Sequence, residues 1–83
     1  MFTYYYSDME LLRIEIGILN KKIETYGCID VDFIKRFISG EEPTFKDSRI
    51  GWTEGFSEAR DVQPMLRGKS WIFKFTLPEP KEL

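Results

Sequence analysis

The residues best equipped for chemistry in this sequence are arginines set among aromatic rings. Arg49, Arg60 and Arg67 lie in or near a segment that also holds Trp52, Phe56 and Trp71. A guanidinium beside an aromatic face can stack on a nucleobase, clamp a phosphate or anchor a protein interface. Arg49, Trp52, Phe56, Arg60 and Arg67 are therefore the candidate partner-binding residues. The competing reading places the tryptophans in the core and pairs the arginines with Glu54, Glu58 and Asp61 at the surface. For Trp71 the core is favoured, because it stands on an alternating strand face; for Trp52 both readings stay open.

Catalysis has far less to draw on. The chain has no histidine, hence no base titrating near neutral pH, and no Ser/His or Cys/His pair. The single cysteine, Cys28, sits between Gly27 and Ile29 and reads as a small apolar residue rather than a nucleophile. A nitrogen- or sulfur-ligated metal lacks the donors. Asp30 and Asp32 could meet a hard cation, but the glycine and spacing of an EF-hand loop are absent, and Asp30 suits a helix cap better. Neither a Walker loop nor a dinucleotide fingerprint occurs. The expectation is a non-enzyme without catalytic residues, metal or cofactor.

Composition narrows the classes further. Eighty-three residues make one domain, 1–83, and 42% hydrophobic with 16% aromatic content is globular rather than disordered. Net charge is −2 and the charges are evenly spread, so no basic stripe offers a grip on a nucleic-acid backbone. One cysteine forms no internal disulfide. The start Met1-Phe2-Thr3-Tyr4 lacks the pattern of a signal peptide, and no run approaches the roughly 18 apolar residues of a membrane span. A soluble, intracellular protein that touches no membrane is expected.

The elements that must position these residues are legible in part, and they predict an α+β fold: a long N-terminal helix and a short second helix packed on a small antiparallel hairpin or sheet. Residues 1–6 read as an aromatic arm or short strand, with Tyr4, Tyr5 and Tyr6 placed either on the sheet or on a contact surface. Ser7 and Glu10 make a capping box for a helix over 8–26, stopped at Gly27. Its solvent arc holds Glu10, Arg13, Gly17, Asn20, Lys21 and Glu24. Asp30 caps a second helix over 31–39, closed by Gly40, with Lys35 and Arg36 pointing away. Residues 41–57 read as a loop anchored by Phe45 and Ile50. A hairpin spans 58–77 about a three-residue turn, Arg67-Gly68-Lys69, with Pro64 marking an edge strand and Trp71, Phe73, Phe75 and Leu77 sharing one face. Residues 78–83 form an extended tail.

The first helix carries more apolar surface than one neighbour needs. Leu12, Ile16, Leu19, Ile23 and Tyr26 recur at heptad spacing, and Leu11, Ile14 and Ile18 form a second line. Together they span roughly 200–220° of the circumference, against about 100° or more for an ordinary surface helix. A homo-oligomer follows, with Leu11, Leu12, Ile16, Leu19, Ile23 and Tyr26 as its interface. The alternative is a monomer in which helix two and the hairpin cover both lines.

Gly51-Trp52-Thr53-Glu54, Ser57, Ala59, Gly68, Trp71 and Leu77-Pro78-Glu79-Pro80 together resemble a pattern in small proteins of phages and prophages of Gram-positive bacteria. Gly27-Cys28-Ile29-Asp30-Val31-Asp32 is similar to that group's entry to its second helix. The resemblance implies a viral protein made in a host bacterial cytoplasm and carries over no catalytic residue. The leading expectation is an inhibitor of host defence that sequesters an immune protein or its nucleotide signal stoichiometrically. A virion assembly component is the alternative. A DNA-binding regulator is the third reading, resting only on the basic pair Lys35-Arg36.

Overall fold

A computed structural model describes residues 2–83 and has the expected α+β architecture: helices packed against two small antiparallel sheets. Met1 of the expected arm lies outside the described residues. Strand β1 (Thr3–Tyr6) leads into α1 (Met9–Tyr26). The cap of α1 is Asp8, not Ser7: the Asp8 carboxylate accepts from the amides of Glu10 at 2.9 Å and Leu11 at 3.4 Å. A carboxylate at this position also meets the positive end of the helix dipole. Gly27 ends α1 at φ 84°, donating its amide to the Ile23 carbonyl at 2.7 Å.

Strand β2 (Ile29–Asp30) fills the connection, and Asp30 caps α2 (Val31–Ile34) by accepting from the Phe33 amide at 2.8 Å. The helix then widens into a π turn over Lys35–Ser39 and stops at Gly40, φ 68°. Lys35 does not point away, as the helical pattern predicted. Its ammonium bonds Asp47 at 2.8 Å, and the buried Asp47 carboxylate also accepts from the Thr44 amide at 2.7 Å. This ties the 41–49 loop to the second helix. Phe45, expected as an anchor, stands out in solvent instead.

Three further departures all concern strands. Residues 50–52 are not loop but β3 (Ile50–Trp52), the central strand of the order β2-β3-β6. The tail closes that sheet: β6 (Lys81–Glu82) pairs Glu82 with Ile50 and Lys81 with Gly51. Residues 58–61 form a short helix, α3 (Glu58–Asp61), so the hairpin is narrower than expected: β4 (Val62–Arg67) and β5 (Ser70–Thr76). Arg67 pairs with Ser70, so the connection is two residues, with Gly68 at φ 63° in the first position, as a type II′ turn requires.

In the other sheet β5 is central, in the order β1-β5-β4, and Pro64 does lie on an edge strand. Tyr4 pairs with Phe75 and Tyr6 with Phe73, so the aromatic arm is part of the sheet. Tyr6 also donates its hydroxyl to Glu15 of α1 at 2.7 Å.

One core joins the two sheets. Leu12, Ile16, Leu19 and Ile23 of α1 meet Ile29, Val31 and Ile34 on one side and Trp52, Phe56, Phe75 and Leu77 on the other. These α1 residues are therefore the inside of a single chain, not the oligomer interface predicted for them. The deciding numbers are sharp: Leu12 and Leu19 are 0% exposed, whereas Leu11, Ile14 and Ile18 are 48%, 54% and 44% exposed. Tyr26, the last residue of the predicted seam, is also exposed. No helix among the described residues is long and apolar enough to cross a membrane.

Candidate interaction surfaces

The five candidate partner-binding residues do not converge on one surface. Trp52, on β3, is buried: its indole N–H donates to the Pro78 carbonyl at 2.7 Å, and its ring meets Phe2 and Phe56 edge-on at 5.7 and 5.8 Å. Phe56 is buried too, edge-on to Phe75 at 5.8 Å. Both belong to the core, where edge-to-face pairs add to the burial of apolar area.

Arg60 is occupied within the chain. Its guanidinium donates to Asp61 at 3.0 and 2.8 Å and to the Gly55 carbonyl at 2.9 Å. Hydrogen bonding to Asp61 raises the guanidinium pKa further. Asp61 in turn accepts from the Ser57 amide at 2.8 Å, so the pair braces the start of α3. Arg49 lies over the ring of Phe45 at 4.9 Å, and Arg67 ends β4 at the hairpin tip. A cleft of about 330 Å³ beside Trp52 and Arg60 sets Arg60 and Lys81 against Glu54 and Glu79, so its charges balance and it offers no net attraction to an anion.

Asn20, expected on the solvent arc, is a structural clamp. Its amide donates to the Phe56 carbonyl at 2.8 Å and its carbonyl accepts from the Phe56 amide at 2.7 Å. Nearby, Arg13 and Glu58 form a two-pronged ion pair, both bonds 3.0 Å, that lowers the Glu58 pKa through the hydrogen bonds it accepts. One flank of α1 is thereby stitched to the 55–58 segment. On the opposite flank, burial first and the bond to Glu15 second hold the Tyr6 phenol above its ordinary pKa of 10.0.

Both cationic residues of the second helix pair with an acid, Lys35 in a mostly buried site and Arg36 at the surface. Lys35 is bound to Asp47, and Arg36 pairs with Asp32 four residues earlier. The hydrogen bond between Lys35 and Asp47 raises the ammonium pKa and lowers that of the carboxyl. No group of three or more His, Cys, Asp or Glu side chains converges among the described residues. Cys28 is half-buried beside the turn at Gly27.

The residue that sequence reasoning placed inside is the one that stands out. Trp71 is 55% exposed, against 5% for Trp52. Cross-strand register explains why. Tyr6 pairs with Phe73 and Phe73 with Pro64, so that rung has all three strands. The next rung on the same face is Leu66 opposite Trp71, and β1 has already ended. The start of α1 is level with Phe73, since Met9 and Arg13 share a surface cleft with Pro64 and Phe73. The hairpin therefore overhangs its cover by one rung, roughly 7 Å at 3.4 Å per residue. Leu66 and Trp71 form an exposed apolar rung on the underside of that overhang, while Arg67, paired with Ser70, falls on the opposite face. The cause is geometric and lies in the fold: the alternating face of β5 runs two residues past the reach of the four-residue strand β1.

A second apolar surface is the outer line of α1, Leu11, Ile14 and Ile18. No family model, curated protein or solved structure matches this chain.

Proposed function

We propose that this chain is a non-enzymatic binding protein that engages a macromolecular partner through the overhanging hairpin. The single observation that carries the reading is the Leu66–Trp71 rung, which is apolar, cross-strand paired and left uncovered by its own sheet. An exposed tryptophan paired across the hairpin with a leucine has the composition of an interface anchor. A protein partner is favoured over a nucleotide signal, because the cleft beside Arg60 has balanced charge.

Taken with the resemblance to phage proteins, the partner class is a host defence protein, and the mode of action is stoichiometric inhibition in the bacterial cytoplasm. Pull-down and calorimetry against defence effectors and cyclic nucleotides test it. A tight one-to-one complex with an effector that Trp71→Ala weakens at least about tenfold supports the reading, equivalent to about 1.4 kcal/mol. An effector complex indifferent to Trp71→Ala, or tight binding of a cyclic nucleotide alone, refutes it. The outer line of α1 favours a second reading, a virion assembly component, for which the corresponding observation is the protein in purified particles.

A further inference from the structure

The outer face of α1 lies far from anything this chain can place against it. At 100° per residue, the Leu11–Ile14–Ile18 line points roughly 140° away from the buried Leu12–Ile16–Leu19–Ile23 line. One flank is taken by Glu58 and Phe56, through Arg13 and Asn20. The other is taken by Tyr6, through Glu15, and by Phe33, which lies 4.5 Å from the Lys22 ammonium. A shallow groove remains between them, lined by Ile14, Gly17, Ile18, Lys21 and Thr25. A Cβ added at Gly17 would meet nothing within 4 Å. Mid-helix glycine costs about 1 kcal/mol relative to alanine, and no contact inside the protomer requires it.

We infer that this groove is filled by α1 of a second copy, running antiparallel, with Ile18 on the two-fold axis. The charges choose both the occupant and its direction. Glu10 and Glu15 flank the N-terminal half of the line, and Lys21 and Lys22 flank the C-terminal half. Antiparallel pairing about Ile18 sets Glu15 beside the partner's Lys22, Leu11 opposite Thr25 and Ile14 against the stem of Lys21. Parallel pairing would stack lysines on lysines. Glu15 gives one carboxylate oxygen to Tyr6, and the Lys22 ammonium rests on the rings of Tyr26 and Phe33, at 4.8 and 4.5 Å, with no carboxylate of the described residues beside it. Both are thus available across the axis.

The contact is small. An 18-residue helix is about 27 Å long at 1.5 Å per residue, and a strip about 15 Å wide buries roughly 400 Å² per copy. That is about half the 800 Å² per partner of stable complexes, so the dimer is weak and transient.

Sedimentation equilibrium from about 1 μM to 1 mM tests this. The expected mass rises from the 9.9 kDa monomer toward twice that value across the range. Ile18→Glu, at an exposed site, keeps the circular dichroism spectrum and weakens association at least about tenfold, whereas Trp71→Ala leaves it unchanged. In a Cys28→Ser background, a bis-maleimide joins Ile18→Cys to its own copy and joins Leu11→Cys to Thr25→Cys, but does not join Leu11→Cys to itself. A mass fixed at 9.9 kDa up to 1 mM overturns the proposal. So does association that survives Ile18→Glu or fails in Trp71→Ala, and efficient Leu11→Cys self-linking overturns the antiparallel direction. None of these outcomes depends on the hairpin's partner, so either reading can fail alone.

Discussion

Leu19 and Ile18 are adjacent on one helix, similar in volume, and placed by the structure on opposite sides of the water boundary. Leu19 is 0% exposed and Ile18 is 44% exposed. Replacing Leu19 by alanine removes a fully buried isobutyl group and leaves a cavity at the centre of the core, a loss of about 2–5 kcal/mol. In a domain of this size each kcal/mol moves the melting midpoint by about 4–8 °C, so the expected fall is roughly 8–40 °C. Ile18→Ala gives up only a side chain already half in water, and alanine's better helix propensity returns part of it. The net change stays within about 0.5 kcal/mol, or roughly 4 °C. Thermal melts followed by circular dichroism at about 5 μM, near the monomer end of the proposed association range, measure both. Equal losses at the two sites, or a neutral Leu19→Ala, would show that α1 is rotated from the orientation described, and the division into inner and outer lines would fall with it.

Gly51→Ala should be severely destabilising. A Cβ there overlaps the Ile29 carbonyl oxygen and lies 2.7 Å from the Asp30 Cα, both backbone, and amide exchange should rise in β2, β3 and β6 before it rises in the hairpin. Asn20→Ala leaves both polar groups of the Phe56 backbone without their partner, costing about 1–3 kcal/mol in urea titration and opening residues 53–57 to protease. For pH, the Asp47 and Glu58 carboxyls are lowered in the fold, so their stabilisation is present above the ordinary values of 3.8 and 4.5 and is lost as pH falls through their folded values. The Tyr6 and Lys35 groups are raised, so theirs is present below 10.0 and 10.5 and is lost as pH climbs past them. Stability measured against pH should therefore be flat between about pH 5 and 9 and fall at both ends, and Asp47→Asn should flatten part of the acid limb. Iodide should quench most of the fluorescence of Trp71 and little of that of Trp52, so Trp71→Phe should leave a blue-shifted, quencher-resistant emission.

Features with local causes were readable from residues alone. Gly27 and Gly40 end their helices in the left-handed region, Asp30 caps the second helix, and the alternation through Trp71, Phe73 and Phe75 marks β5. Features whose cause lies elsewhere in the chain were not. Strand β3 exists because β2 and β6 flank it, and its own residues, Ile-Gly-Trp, read as turn. The tail is a strand only because Leu83 and Lys81 find Arg49 and Gly51. The sequence showed two apolar lines on α1 but not that only the longer one turns inward; the bonds made by Tyr6 and Asn20 on either flank mark the edges of the buried side. Trp71 was misplaced for a similar reason, since alternation assigns a face but not the point at which the neighbouring strand stops.

The pairing of β1 with β5, Thr3 against Thr76, brings together the two most distant strands of the larger sheet. Helix α1 can coil within about a microsecond, but the sheet that shelters its inner side must wait for that long closure, which pulls folding toward the millisecond-to-second range of non-local topologies. During that delay both oily sides of the helix are bare at once. Newly made copies are then at their stickiest, and holding chaperones would have their longest opportunity to act on them.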